Sequence, residues 1–165
     1  MGHEAQQRLM VSDVLIVGMS GLGVEVAKNV VLAGVKSVTL YDPTPVTSYD
    51  LGGNFYLTSA DIGKSRAECC RKQLSELNQY VPITVSATLD PSGFSCCAVT
   101  TAMPYSAVQA LNSQCRTANC CFIYSQVAGV FSQSFCDFGN EFIVSDTDGE
   151  NPAVSQVEAI TQVSA

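Results

Sequence analysis

The sequence has little positive charge, a single histidine and no tryptophan. Its 8 Lys and Arg residues face 15 Asp and Glu residues, which gives a formal net charge of −7. Because nucleic-acid binding depends on Lys and Arg contacts to phosphate, this balance argues against a nucleic-acid partner. No apolar run approaches the roughly 18 residues of a membrane-spanning helix, so no membrane partner is predicted. Residues 1–8 lack the pattern of a secretory signal.

The sequence also lacks the C-x-x-C spacing that is typical of zinc sites and redox centres, although it has eight cysteines. Six of them form three adjacent pairs, and adjacent residues on a strand point to opposite faces. We therefore predict no metal site and interpret the cysteines as small, reduced core residues. Reduced cysteines are typical of the cytoplasm and nucleus, where we expect this protein to reside. The eight are Cys69, Cys70, Cys96, Cys97, Cys115, Cys120, Cys121 and Cys136.

What the chain does have is a strand, a glycine turn and a helix near its start. An apolar run at 14–17 ends at Gly18, and Gly21 and Gly23 follow at the head of a helical pattern. This order is typical of the first unit of a nucleotide-binding Rossmann-like fold, in which glycines let backbone approach a phosphate. The middle glycine of the G-x-G-x-x-G template, against which a pyrophosphate normally lies, is replaced by Ser20. The turn therefore predicts the fold more firmly than it predicts a bound nucleotide.

Asp42 has two interpretations that the residues leave open. It lies 19 residues after Gly23, near the position of the acidic residue that binds a ribose hydroxyl in dinucleotide-binding folds. It also ends a predicted strand before Pro43, where an aspartate commonly caps a turn.

The pattern along the chain predicts one α/β domain, with 47% hydrophobic residues to fill its core. Helices are predicted at 3–11, 21–33, 63–79 and 104–115, and strands at 13–18, 37–42, 82–87, 96–101 and 120–124. Period-two alternation at 130–138, the turn Gly139-Asn140 and a strand at 141–146 predict an antiparallel hairpin. The expected fold is therefore a mostly parallel sheet flanked by helices, with a hairpin near the C-terminus.

Several blocks of the sequence, taken together and in order, resemble eukaryotic ubiquitin-activating enzymes. The similarity is to the start of the inactive one of their two adenylation halves, and it covers nearly the whole chain. The blocks are 2–5, 21–29, 33–40, 54–57, 61–68, 77–82, 135–139 and 146–152.

The resemblance implies a ThiF/MoeB-like domain. In that family the full enzyme uses ATP and magnesium to adenylate the C-terminal carboxylate of ubiquitin and then forms a thioester. The implied partners are the active adenylation half of the same chain and, through the full protein, ubiquitin and ubiquitin-conjugating enzymes. Residues 1–150 would be the first part of the inactive domain, and 151–165 the start of a linker in a truncated chain.

The resemblance also implies that this half is not catalytic. The active half carries Asn-x-Asn-Arg-Gln for the triphosphate, and the aligned residues 50–54 here contain no arginine. Asp50 would repel phosphate. The magnesium-binding aspartate of the active half has no counterpart at 99–102. Lys64 matches a lysine of the active half, but alone we interpret it as a retained helix-start residue.

We therefore predict no catalytic residue and no cofactor for this part, with ATP and magnesium confined to the active half. A vestigial nucleotide site is predicted at Gly18, Ser20, Gly21, Gly23, Asp42 and Lys64. An arginine-bearing segment that precedes residue 2 in the family has no counterpart here. The alternatives are a regulatory subunit of a SUMO- or NEDD8-activating heterodimer, or a working nucleotide-binding enzyme, either adenylating or NAD-dependent.

Overall fold

The computed structural model describes residues 3–144. Its helices are α1 (His3–Met10), α2 (Gly21–Ala33), α3 (Arg66–Leu77) and α4 (Tyr105–Thr117). Its strands are β1 (Asp13–Val17), β2 (Ser37–Tyr41), β3 (Ile83–Val85), β4 (Cys96–Val99), β5 (Cys121–Ala128) and β6 (Phe131–Asp137). Two short 3-10 helices, Asp50–Gly52 and Ser59–Asp61, lie between β2 and α3.

The six strands form one sheet in the order β3-β2-β1-β4-β5-β6. The first five are parallel to their neighbours, and β6 pairs antiparallel with β5. The strand order reverses direction between β1 and β4, which is the topological switch point where doubly wound folds place their ligands. The predicted fold class, a mostly parallel sheet with helices and an antiparallel hairpin, is confirmed.

Strand β1 supplies side chains to both hydrophobic cores. Val14 and Ile16 face the core that α2 and α3 cover, whereas Leu15 and Val17 face the core under α4. This division follows from the alternation of side chains along a strand. Because β1 is buried on both faces, its sequence is continuously apolar rather than alternating.

The predicted position of the hairpin is wrong. The chain turns at Gly129-Val130, between β5 and β6, and not at Gly139-Asn140. Gly129 has a φ of +64°, as the first residue of a tight two-residue hairpin turn requires. The alternation at 130–138 does mark a strand, but that strand pairs back onto β5, which continues to Ala128. Residues 141–144 form no strand, and the rest of the predicted strand lies outside the described residues.

All eight cysteines are free thiols, and half of them occupy core positions. Burial raises the pKa of Cys70 to about 11 and that of Cys96 to about 12, so both thiols stay protonated. Cys136 on the outer strand is exposed and departs from the core interpretation. The buried four are Cys70, Cys97, Cys115 and Cys120.

Candidate functional site

The glycine turn joins the end of β1 to α2 at the switch point of the sheet. Gly18 has a φ of +92°, and its N–H donates to the carbonyl of Tyr41 at 2.8 Å. Ser20 is the N-cap residue of α2, but its side chain makes no capping hydrogen bond. The turn therefore presents a helix N-terminus at the edge of the sheet where nucleotides bind in this kind of fold.

Each glycine of the turn is packed tightly against the chain itself. A methyl group added to Gly18 would lie 2.7 Å from Cβ of Thr101, and one added to Gly23 would overlap the carbonyl oxygen of Gly18. A methyl group on Gly21 would lie 2.7 Å from the carbonyl oxygen of Gly53. The close backbone approach at Gly21 is thus made by the loop around Gly53.

Thr100, directly after β4, is buried beneath the turn. Its hydroxyl lies 2.8 Å from the carbonyl of Gly18 and 3.0 Å from that of Val17, and it donates to this pair of oxygens. A neutral side chain whose proton is directed at backbone carbonyls supplies no charge that could hold a metal ion.

Asp42 is buried at the end of β2, and both of its carboxylate oxygens accept hydrogen bonds. Oδ2 accepts from the N–H of Met19 at 2.7 Å and from Nε of Arg66 at 2.7 Å. Oδ1 accepts from the N–H of Thr44 at 2.9 Å, which caps the turn after the strand. The carboxylate therefore bonds to three separate parts of the chain.

Arg66, in the first turn of α3, bridges two buried carboxylates. Besides Asp42, it donates from Nη1 to Oδ1 of Asp50 at 2.6 Å. Burial lowers the pKa of Arg66, but hydrogen bonds and charge from Asp42 and Asp50 outweigh it and raise that pKa. Burial likewise raises the pKa of Asp50, but hydrogen bonds from Thr47 and Arg66 hold it below its ordinary value. Arg66 and Asp50 are therefore both charged at neutral pH.

Asn54 holds the glycine turn from the opposite side. Its side chain is fully buried, and Nδ2 donates to the carbonyl of Met19 at 2.9 Å and to Sγ of Cys70 at 3.2 Å. Its Oδ1 accepts from the N–H of Tyr56 at 3.1 Å. The backbone of Met19 is thus bonded at its N–H by Asp42 and at its carbonyl by Asn54.

A cleft of about 510 Å³ opens beside the N-terminus of α2. None of the residues that line it is a lysine or an arginine, and Asp50 is among them. The lining residues are Ser20, Gly21, Ser48, Tyr49, Asp50, Gly52 and Gly53.

The structure brings together most of the site residues predicted from the sequence. Ser20 and Gly21 line the cleft, whereas Gly18, Gly23 and Asp42 are packed into the turn beneath it. Lys64 does not line the cleft; its ammonium is mostly exposed and lies 3.1 Å from the carboxylate of Asp61.

Met19, Asn54 and Arg66 also position the turn, and none of them was predicted from the sequence as a site residue. Phe55, which follows Asn54, is 62% exposed, whereas Tyr56 and Leu57 are buried. The ring of Phe55 lies instead beneath the ammonium of Lys28, at 5.6 Å from the ring centroid.

Two kinds of feature are absent from residues 3–144. No helix in this part of the chain has the length and apolar character needed to cross a membrane. No group of three or more His, Cys, Asp or Glu side chains in the same part is arranged to hold a metal ion.

Comparison with known proteins gives one family and a set of long relatives. The model of the ThiF family matches residues 1–93. Ubiquitin-activating enzyme E1 1 of Schizosaccharomyces pombe is 44% identical over 164 residues, covering 98% of this chain. Ubiquitin-like modifier-activating enzyme 1 of Homo sapiens is 42% identical over 168 residues, with the same coverage. This chain spans only 16% of either relative.

Solved structures of MccB from E. coli have the same fold. One of them aligns with a TM-score of 0.67 over 74% of this chain and 36% of its own, at 21% identity. A second, solved with ATP, aligns with a TM-score of 0.64 at 20% identity over 73% of this chain and 38% of its own. At this level of identity the likeness establishes the architecture only.

The packing at Gly23 predicts a strong effect of a single added methyl group. We expect Gly23→Ala to lower the free energy of unfolding by about 1–3 kcal/mol, because the methyl overlaps rigid backbone at Gly18. In a domain of this size that is a drop of about 2–4 °C in melting temperature per kcal/mol. Gly52→Ala is the matched control, since a methyl there meets nothing within 4 Å. Equal melting temperatures for the two variants would contradict the packing described here.

The buried cluster predicts that Arg66 stabilises the fold. We expect Arg66→Met to cost about 3–5 kcal/mol, because it leaves two buried carboxylates without their cation. Arg71→Met, on the same helix, removes only an exposed pair with Glu68 and should cost roughly 0.5 kcal/mol or less. Urea unfolding of both variants measures the difference, and a similar cost for the two would show that the cluster is unimportant.

Proposed function

Because this chain belongs to the ThiF family, we propose that it is the first part of the non-catalytic adenylation half of a ubiquitin-activating enzyme. Relatives with that printed name are 40–44% identical to it over nearly its whole length. In the whole enzyme, ATP and magnesium would act in the other, active half. Ubiquitin and ubiquitin-conjugating enzymes would be partners of the whole protein, in the cytoplasm and nucleus.

The non-catalytic assignment rests on one observation: no positively charged side chain lines the cleft. Transfer of phosphoryl or nucleotidyl groups needs cations placed against the developing negative charge. Arg66 donates to Asp42 and Asp50, and the cleft lining contains neither lysine nor arginine. Gly53, which aligns with the arginine of the active half, instead lies with its backbone against Gly21.

In this proposal the domain works as a scaffold. In a catalytic half, the polar groups of this region would position a nucleotide. Here their hydrogen bonds hold the glycine turn, the 47–54 loop and α3 to one another. A turn that is fixed by its own chain provides a rigid support against which the active half can pack. The residues Gly18, Ser20, Gly21, Gly23, Asp42 and Lys64 would then be remnants of a nucleotide site.

A second candidate is a working nucleotide-binding domain, and the open cleft at the N-terminus of α2 favours it. A helix N-terminus attracts anions, and about 510 Å³ is room enough for part of a nucleotide. Assignment to a SUMO- or NEDD8-activating heterodimer stays a prediction.

Calorimetric titration of the 165-residue chain with magnesium-ATP, and separately with NAD, distinguishes these candidates. We expect no binding of either ligand at millimolar concentration, because phosphate would meet Asp50 and no cation. Micromolar binding of ATP would establish a working site and contradict the proposal. Binding of NAD would favour an oxidoreductase.

The matched variant for this titration is Gly53→Arg. A side chain fits at position 53, since its Cβ would lie 3.9 Å from the Cα of Gly21. If missing charge is the reason for weak binding, this variant should bind ATP at least about tenfold more tightly than the wild-type chain, about 1.4 kcal/mol. No gain in the variant would show that the argument from charge is wrong.

A further inference from the structure

Helix α4 ends in a Schellman motif whose outermost pair of bonded residues are both cysteines. Asn119 follows the helix with a φ of +52°, in the left-handed region. The N–H of Cys120 donates to the carbonyl of Cys115 at 2.9 Å, and the N–H of Asn119 donates to the carbonyl of Arg116 at 3.3 Å. In this motif the side chains of the outermost pair commonly contact one another.

The backbone hydrogen bond places Cys115 and Cys120 within reach of a disulfide. Its nitrogen is bonded directly to the Cα of Cys120, and its carbonyl oxygen lies about 2.4 Å from the Cα of Cys115. Together with the 2.9 Å hydrogen bond, these lengths keep the two Cα atoms within about 6.8 Å of one another. Disulfides span Cα distances of roughly 4.4–6.8 Å, so the bridge requires no large movement of the backbone.

The side chains of this pair share one core. Cys115 is fully buried and Cys120 is 5% exposed, and both belong to the core under α4. Their thiols are hydrogen-bonded to one another, and the thiol of Cys115 also bonds that of Cys97 on β4. The hydrogen bonds from Cys120 and Cys97 lower the pKa of Cys115. A lowered pKa favours the thiolate, which is the form that reacts with oxidants.

The other cysteines near Cys115 are less favourably placed. Cys121 follows Cys120 directly, but its side chain lies on the opposite face of the sheet, beside Cys96 of β4. Burial raises the pKa of both Cys121 and Cys96, which slows their reaction with oxidants. Cys97 contacts Cys115 across the interface between sheet and helix, where no backbone hydrogen bond fixes the distance between their Cα atoms.

A cavity of about 300 Å³ at the end of α4 leads to this pair. Cys120 lines it together with Arg116 and Asn119, and hydrogen peroxide is small enough to enter a space of this size. The contacts that pair the two thiols all lie within residues 97–120. The pairing therefore does not depend on what further chain covers the surface.

We propose that Cys115 and Cys120 are a site of reversible oxidation, at which peroxide forms a disulfide that ties the end of α4 to the start of β5. The thiolate sulfur of Cys115 attacks one oxygen of hydrogen peroxide, which breaks the O–O bond and leaves a sulfenic acid and hydroxide. The sulfur of Cys120 then displaces the hydroxyl group, which leaves with the thiol proton as water.

The hydroxide takes up the proton that Cys115 lost, so two thiols and one peroxide give one disulfide and two waters. A thiol reductant reverses the oxidation by exchange. Cytoplasmic disulfides of this kind are typically transient and redox-sensing rather than structural. This inference does not depend on the proposed function.

Tryptic peptides report this disulfide, because trypsin cleaves after Arg116, between the two cysteines. The folded 165-residue chain is treated briefly with hydrogen peroxide, and the remaining thiols are then blocked. We expect two of its eight thiols to be lost and peptide 73–116 to be joined to peptide 117–165. Fragmentation of the joined product in a mass spectrometer should place the bond at Cys115 and Cys120. Dithiothreitol should separate the two peptides.

Alanine variants test which thiols take part. Cys120→Ala should reduce the joined product at least about tenfold, because it removes the thiol that resolves the sulfenic acid. Cys121→Ala is the matched control at the next residue and should form the product like the wild-type chain. Circular dichroism verifies that each variant keeps its fold. In urea this difference between the two variants should disappear, because only the folded chain directs Cys120 and Cys121 to opposite faces.

Three results would overturn the proposal. The folded wild-type chain could keep all its thiols in peroxide, or it could lose thiols without joining the two peptides, as a bond between Cys97 and Cys115 would do. Fragmentation could also place the bond at a different pair, such as Cys96 and Cys121. Because each of these results is read from the wild-type chain, the test stands even if Cys120→Ala does not fold.

Discussion

The buried guanidinium of Arg66 is the interaction on which the rest of this site depends. It bonds Asp42 at the end of β2 and Asp50 in the following loop, and Asp42 in turn bonds the N–H of Met19 in the glycine turn. Burying a cation between two carboxylates costs free energy, because all three charges lose water. Removing one partner costs more, because it leaves a buried charge with neither water nor a counterion. One side chain thus holds a strand end, a loop and a helix to the turn.

Under the proposed function, this constraint explains how a fold of the nucleotide-binding type would lose its nucleotide site. In such folds the glycine turn and the acidic residue after β2 are directed at a ligand. Here Gly21 contacts the backbone of Gly53, and Asp42 contacts Met19 and Arg66. The groups that would recognise phosphate and ribose are bonded within the chain, so the architecture of a ThiF-family domain is retained while its chemistry is proposed to reside in another half.

Local pattern predicted the elements of the fold but not the contacts between them. Helix and strand periodicity identified the parallel sheet, and the glycine spacing located the turn, because both depend on residues close in sequence. The hairpin was misplaced because Ala-Gly-Val-Phe is a weak turn signal, whereas Gly139-Asn140 is a strong one. Arg66 could not be identified, since its two carboxylates lie 16 and 24 residues away and meet it only after folding. The sequence left open whether Asp42 binds a ribose hydroxyl or caps the turn after β2. The structure shows the hydrogen bond of the turn cap.

Hydrogen exchange of the Met19 amide tests the central claim most directly, because that N–H bonds to the carboxylate held by Arg66. In the wild-type chain, the amide of Met19 should exchange as slowly as that of Ile16 in the core of β1. In Arg66→Met, we expect the amides of Met19 and of the 47–54 loop to exchange much faster than that of Ile16, since the turn and the loop lose their common anchor. If Met19 and Ile16 instead lose protection equally, the turn is held by the fold as a whole, and the cluster around Arg66 is not what fixes it.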